Sequence, residues 1–200
     1  MKKSPCEVIS IQRALTLLEQ KISVLLAQKE RVTVAIDGRC GAGKTTLATA
    51  LATQFYPCNL IHMDDFFLRP EQRTAQRFCT AGENIDHERF LEEVLLPLRT
   101  GLPFSYSPFD CHTQALRAPV RVTPTQVTVV EGSYSCHRAL QPFYDLRIFL
   151  DVDKKTQANR LLAREGKEGA VAFWERWVPL EEAYFAMLDQ HTAFDIRLTL

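Results

Sequence analysis

Gly38-Arg39-Cys40-Gly41-Ala42-Gly43-Lys44-Thr45 fits the pattern G-x-x-x-x-G-K-[ST] at every fixed position. Before it lies a short apolar, β-branched run, Arg31-Val32-Thr33-Val34-Ala35-Ile36. After it comes a helical pattern from Lys44 to Phe55 carrying Leu47, Ala48 and Leu51. A buried strand, a glycine-rich turn and a helix, in that order, are the context in which the pattern means a phosphate cradle. The glycines let backbone N–H groups converge on phosphate oxygens with no side chain in the way. The helix adds the positive end of its dipole. Lys44 supplies a point charge for the β and γ phosphates, and Thr45 supplies a hydroxyl for Mg²⁺. The segment from Gly38 through Gly41, Ala42, Gly43, Lys44, Thr45 and Thr46 is therefore expected to bind a nucleoside triphosphate.

Working outward, Asn59-Leu60-Ile61-His62-Met63 reads as a second strand, followed by a polar, irregular stretch from Arg69 to Glu83. Asp86 can cap a helix that carries Phe90, Leu91, Val94, Leu95 and Leu98 and closes near Gly101. Residues 104–110 read as a loop or short strands, and Pro119 to Val122 as an edge strand. Gln126 to Val130 and Leu146 to Leu150 are two more buried strands. Asp153 caps a helix through Arg160 and Arg164 that stops near Gly166, and a last helix starts after Pro179. Ile11, Leu15, Leu18, Ile22 and Leu25 recur at steps of four and three, which predicts an amphipathic helix from about 7 to 29. Strands alternating with helices mean an α/β protein with a mostly parallel sheet flanked by helices. No internal repeat or low-complexity linker divides the chain, so residues 1–200 are expected to form one domain.

Bulk properties narrow the function. A chain of 200 residues buries roughly 70% of its unfolded surface and needs no covalent staple. Lys plus Arg and Asp plus Glu are both 24, which argues against a nucleic-acid binder. The six cysteines form no CxxC pair, which fits reduced thiols in a cytoplasmic protein. Met1-Lys2-Lys3 is not expected to open an export signal, because Glu7, Arg13, Glu19 and Lys21 interrupt any apolar run. No stretch of about 18 apolar residues predicts a membrane span.

Three strands end in acidic residues: Asp64-Asp65, Glu131 and Asp151. Ligands in open α/β sheets gather at such ends. Phosphoryl transfer to an alcohol needs one carboxylate to orient or deprotonate the hydroxyl, and oxygen groups to hold Mg²⁺. Asp64 and Glu131 suit those two tasks. Asp151 reads as a turn residue beside the cap Asp153. Asp64 and Asp65 are adjacent, so their side chains diverge and the residues alone leave open which one is the base. Cys40 reads as a small tolerated loop residue and His62 as a core histidine. Cys111-His112 and Cys136-His137 match no compact structural zinc spacing. The chain has no G-x-S-x-G and no Asn-Lys-x-Asp element.

With the loop, Met63-Asp64-Asp65-Phe66-Phe67 and Val130-Glu131-Gly132-Ser133-Tyr134 resemble the uridine kinase family of P-loop kinases, related to the phosphoribulokinase and pantothenate kinase groups. The resemblance runs from about Val32 to Asp189. It implies a P-loop NTPase-type three-layer sandwich with a helical lid at about 153–178. It also implies ATP and Mg²⁺ as cofactors, Asp64 as base, and Glu131 with Thr45 at the metal. Arg160 and Arg164 match the lid arginines, with Lys167 and Arg176 as further candidates. The implied acceptor is a nucleoside such as uridine, with Asp65, Tyr106 and His112 as candidate substrate contacts. Two departures concern that acceptor: the spacing of Tyr106 and His112 is not a clean match, and the lid arginines are sparse. A non-nucleoside alcohol (a vitamin precursor, sugar or sugar acid) therefore stays open. So does a nucleotide-binding regulatory module, and the N-terminal helix allows a homo-oligomer.

Overall fold

The computed structural model describes residues 8–191 and 194–200. Its frame is a parallel sheet of five strands: β1 (Val32–Gly38), β2 (Cys58–His62), β7 (Val127–Glu131), β8 (Leu146–Asp151) and β9 (Ile196–Thr199). Their order is β2-β7-β1-β8-β9. Both faces are covered. On one, α1 (Ile11–Leu26) and α2 (Lys44–Gln54) bury Leu18, Ile22, Leu47 and Leu51 against Val34, Val129 and Ile148. On the other, Ala35, Val130 and Phe149 meet Phe90, Val94, Leu98, Tyr184 and Phe185. Successive β1 residues thus serve opposite layers, as the two-residue period of a strand requires. Because helices cover both sides, the central strands are apolar almost throughout rather than alternating.

The second layer is built from shorter helices. They are α3 (Ala75–Cys79), α4 (His87–Phe90), α5 (Leu96–Thr100), α6 (Lys154–Ala172) and α7 (Val178–His191). A wide π turn, Leu91–Leu95, joins α4 to α5, and a second, Phe173–Trp177, joins α6 to α7. Beside the sheet lie two small antiparallel pairs: β3 (Phe104–Tyr106) with β6 (Val120–Val122), and β4 (Phe109–Asp110) with β5 (Ala115–Leu116).

Several boundaries differ from the sequence expectation. The helix expected at about 7–29 runs from Ile11 to Leu26, because the Ser10 side chain caps it at Arg13 N–H; Glu7 lies outside the described residues. The helix capped by Asp153 does break at Gly166, at φ 70° and ψ −177°, but it resumes and runs on towards α7. The last helix, expected after Pro179, already starts at Val178. Proline is tolerated in a first turn, so Pro179 marks no boundary here. α3 falls inside the stretch that reads as irregular, with Thr74 as its cap. β9 has no counterpart in the sequence reading. It is a four-residue edge strand, too short to show a period.

Candidate active site

The glycine-rich turn leaves β1 at Gly38 and enters α2 at Gly43, whose φ is 96°. At Gly38, with φ 146°, a Cβ would stand 2.0 Å from the carbonyl oxygen of Leu150, so only glycine lets the turn pass β8. The Lys44 ammonium folds back over the turn. It donates to the carbonyls of Gly38 (2.7 Å) and Arg39 (3.1 Å) and to Ser133 Oγ (3.2 Å). Arg39 points away from the cradle and is clamped by Asp151 at 2.5 Å and by both oxygens of Glu182 at 2.5 and 2.9 Å. Burial pushes the Cys40 thiol up to about 12, and Gln157 donates to the Cys40 carbonyl. Cys40 is thus a packed loop residue rather than a reactive thiol.

Across the turn, the Thr45 hydroxyl lies 3.1 and 3.2 Å from the two oxygens of Glu131. His62 differs from the expected core histidine. Its side chain is 41% exposed, and its Nδ1 meets Glu131 Oε1 at 2.6 Å. The hydrogen bond to Glu131 holds its pKa above the usual histidine value. Its position at the carboxyl end of β2, rather than mid-strand, explains the difference.

Asp64 and Asp65 do diverge. Asp64 opens into a cleft shared with Lys44, Thr45 and Glu131. It is accessible from that cleft but ringed by protein, and desolvation raises its pKa although Lys44 pulls it down. Asp65 faces the other way. It takes Arg117 Nη2 at 3.0 Å and the Tyr106 hydroxyl at 3.3 Å, while Arg89 donates to its carbonyl. Tyr106 is buried and packs on Phe66.

The cleft encloses about 930 Å³. Gly41, Gly43, Lys44, Thr45 and Thr46 form its phosphate-loop wall. Arg160 and Arg164 of α6 line it together with Arg176 and His112. Arg160 also donates to the Gly41 carbonyl at 2.9 Å, joining α6 to the loop. Aromatic residues from both flanking segments, Phe67, Phe78, Phe173 and Trp177, supply the apolar part. Asp65, Tyr106, Gly38 and Ala42 are not among the lining residues.

Two further carboxylates belong to the site and escape the sequence reading. Glu181 of α7 is buried, accepts the Cys40 N–H at 2.9 Å and takes the Ser133 hydroxyl at 2.5 Å. A side chain of the protein itself thus occupies part of the phosphate cradle. Nothing local in the sequence signals this, because α7 arrives from far along the chain. Asp37 does carry a signal, as a charge inside an apolar strand. It is fully buried and accepts from the N–H groups of Gly38, Tyr134 and Cys136 and from the Tyr184 hydroxyl. It therefore ties the Glu131–Cys136 turn and α7 to the root of the loop.

Desolvation raises Asp37 to about 6 from 3.8, against the pull of its donors. The folded state then holds its proton more tightly than the unfolded chain. The stability this contributes is complete below pH 3.8 and is lost as pH rises through about 6. Asp37→Asn turns one acceptor into an NH₂ group and leaves at least one donor facing a donor. We expect a loss of about 2 kcal/mol in urea unfolding. The gap to the wild type should narrow between pH 4 and 7 (about the span of the two values). A gap that widens over that range would count against the buried, raised Asp37.

No protein-family model matches the chain. Over 149 residues it is 25% identical to a protein named uridine kinase from Anoxybacillus flavithermus (strain DSM 21510 / WK1), with 70% of each chain covered. Over 153 residues it is 26% identical to one of the same name from Geobacillus kaustophilus (strain HTA426), with 72% of each covered. Among solved structures, it is similar to a candidate fructose transport system kinase from Silicibacter sp. TM1040. The TM-score there is 0.68 and the identity 22%, over 94% of this chain and 98% of that one. D-glycerate 3-kinase from Cryptococcus neoformans var. grubii serotype A gives a TM-score of 0.60 at 14% identity, over 86% and 87%. The chain has the fold of the P-loop kinases and, along about 70% of its length, a sequence similar to uridine kinases.

Proposed function

We propose that this protein transfers the γ-phosphoryl group of ATP to the hydroxyl of a small acceptor, first of all a nucleoside such as uridine. One observation carries the reading: Asp64 opens onto the same cleft as Lys44, Thr45 and Glu131, while its neighbour Asp65 is tied off by Arg117 and Tyr106. A carboxylate with a raised pKa is the more basic one and suits proton removal from an alcohol. The oxygen-only pair Thr45 and Glu131 would hold Mg²⁺, which would supply positive charge against the phosphates. Arg160 and Arg164 would face the transferring group and stabilise its charge. The helix breaks at Gly166, and closure of its outer part over the cleft would exclude water as a competing acceptor.

The acceptor end has its own polar groups. Asn84 and Tyr134 line the cleft, and their buried Nδ2 and hydroxyl interact with each other. A second acceptor class is favoured by Arg73 and Arg176. Both line the cleft, and neither has an ion-pair partner among the described residues. They would suit an alcohol that also carries a carboxylate or phosphate. The deciding experiment is mass spectrometry of products from ATP, Mg²⁺, pooled nucleosides and acidic alcohols. A phosphorylated nucleoside is the expected product. A phosphorylated acid would select the second class, and no phosphorylated acceptor at all would sink the kinase reading.

Glu181 adds a prediction about nucleotide affinity. Glu181 holds the Cys40 N–H of the phosphate turn, so Glu181→Gln removes a like charge beside a bound triphosphate while keeping the side-chain shape. We expect about tenfold tighter binding of a non-hydrolysable ATP analogue by calorimetry, the equivalent of ~1.4 kcal/mol. Equal or weaker binding would mean that Glu181 does not repel the phosphates.

A further inference from the structure

We propose that Glu83, His87 and His137 form a binding site for Zn²⁺, distinct from the phosphate cradle. The three come from separate places: the loop after α3, the first residue of α4 and the turn after β7. Folding nevertheless brings one donor atom of each within 4.8 Å of the others. Glu83 Oε2 lies 3.2 Å from His87 Nε2, and Glu83 Oε1 lies 3.5 Å from His137 Nε2. A tetrahedral ion with bonds of about 2.0–2.2 Å sets its donors roughly 3.4 Å apart. Each imidazole therefore already has one Glu83 oxygen at about that spacing, Oε2 for His87 and Oε1 for His137, and the three donor atoms lie within 4.8 Å of one another.

The chemistry of the donors selects the metal. Two imidazoles and one carboxylate suit zinc, whereas Mg²⁺ takes oxygen ligands and keeps its water. Side-chain exposure is 28% for Glu83, 12% for His87 and 8% for His137, so the donors are shielded but the carboxylate side stays open for a fourth ligand. Behind His87, Glu88 Oε2 stands 3.6 Å from Nδ1, where an outer carboxylate would orient a ligating imidazole. Glu88 is itself held by Arg77, which also stands 3.7 Å from Glu83. Two carboxylates against one guanidinium leave the cluster with a net negative charge that an ion can neutralise.

Two features set the affinity. The imidazole rings are stacked, with centroids 3.9 Å apart and planes at 12°, so they must turn for both lone pairs to converge. His137 Nδ1 also accepts the Ala139 N–H at 3.3 Å. That hydrogen bond cannot persist once Nε2 binds an ion and the ring proton moves to Nδ1. Weakened outer support costs a metal site roughly 10–100-fold in affinity. The site would staple the Glu83–Asn84 loop to the turn that carries Tyr134, behind the acceptor end of the cleft.

The test is a calorimetric titration of the chelator-treated full chain with Zn²⁺, with millimolar Mg²⁺ present throughout. One equivalent should bind, and Co²⁺ in its place should give the visible absorption of a tetrahedral site. His87→Asn and His137→Asn should each weaken binding at least about tenfold and abolish the rise in Tm that zinc gives the wild type. Circular dichroism of the metal-free variants checks that they fold. Failure of the wild type to bind a stoichiometric ion would overturn the proposal without any variant. Unchanged binding in either folded variant would also overturn it, by placing the ion elsewhere.

Discussion

Asp64→Asn is expected to lower phosphoryl transfer by a factor on the order of a hundred to ten thousand, the scale for loss of a general base. Nucleotide affinity should stay within a few-fold of the wild type, because Asp64 lies outside the loop of residues 38–46 and makes no hydrogen bond to it. Asparagine keeps the shape and the hydrogen-bonding oxygen but cannot take a proton. Single-turnover kinetics with saturating acceptor separate the chemical step from binding. Asp65→Asn is the matching control. Its carboxylate is spent on Arg117 and Tyr106, so the expected effect falls on stability and acceptor KM rather than on the chemical step. A protein that transfers phosphate normally with asparagine at 64 has its base elsewhere.

The second large effect is expected at Lys44. Lys44→Ala should weaken nucleotide binding and also slow transfer by about a hundred-fold or more, because the charge holds the bound phosphates and stabilises the charge of the transition state still more. The structure adds a further cost. The ammonium bridges the Gly38 and Arg39 carbonyls to Ser133, so its removal also frees the turn and the Glu131–Ser133 segment. Lys44→Arg is the informative companion. It keeps the charge, but a planar guanidinium cannot converge on two carbonyls and a hydroxyl as a tetrahedral ammonium does. Near-normal kinetics in Lys44→Ala would remove the loop from the proposed mechanism.

Legibility in the sequence follows locality. The loop, its strand and its helix can be read because eight consecutive residues and their flanks carry the whole signal. Asp86, Asp153 and Gly101 mark helix ends correctly because a cap acts on residues within one turn. His62 reads wrongly as a core residue because a strand pattern does not say which residue stands at the sheet's open end. The Glu83, His87 and His137 cluster is invisible for another reason. Its members are drawn from separate segments, and the adjacent Cys136 points to a cysteine site, although that residue lies buried next to Asp37.

By itself, then, the sequence determined the phosphate cradle, the parallel α/β order of elements and the two acidic strand ends. Each of these depends on residues close together along the chain. Only the tertiary structure decided which aspartate opens onto the cleft, that Glu181 rests in the cradle, and that Asp37 fastens loop, turn and α7 together. Those outcomes depend on where distant backbones cross, and a buried carboxylate's role is set by the donors that packing brings to it.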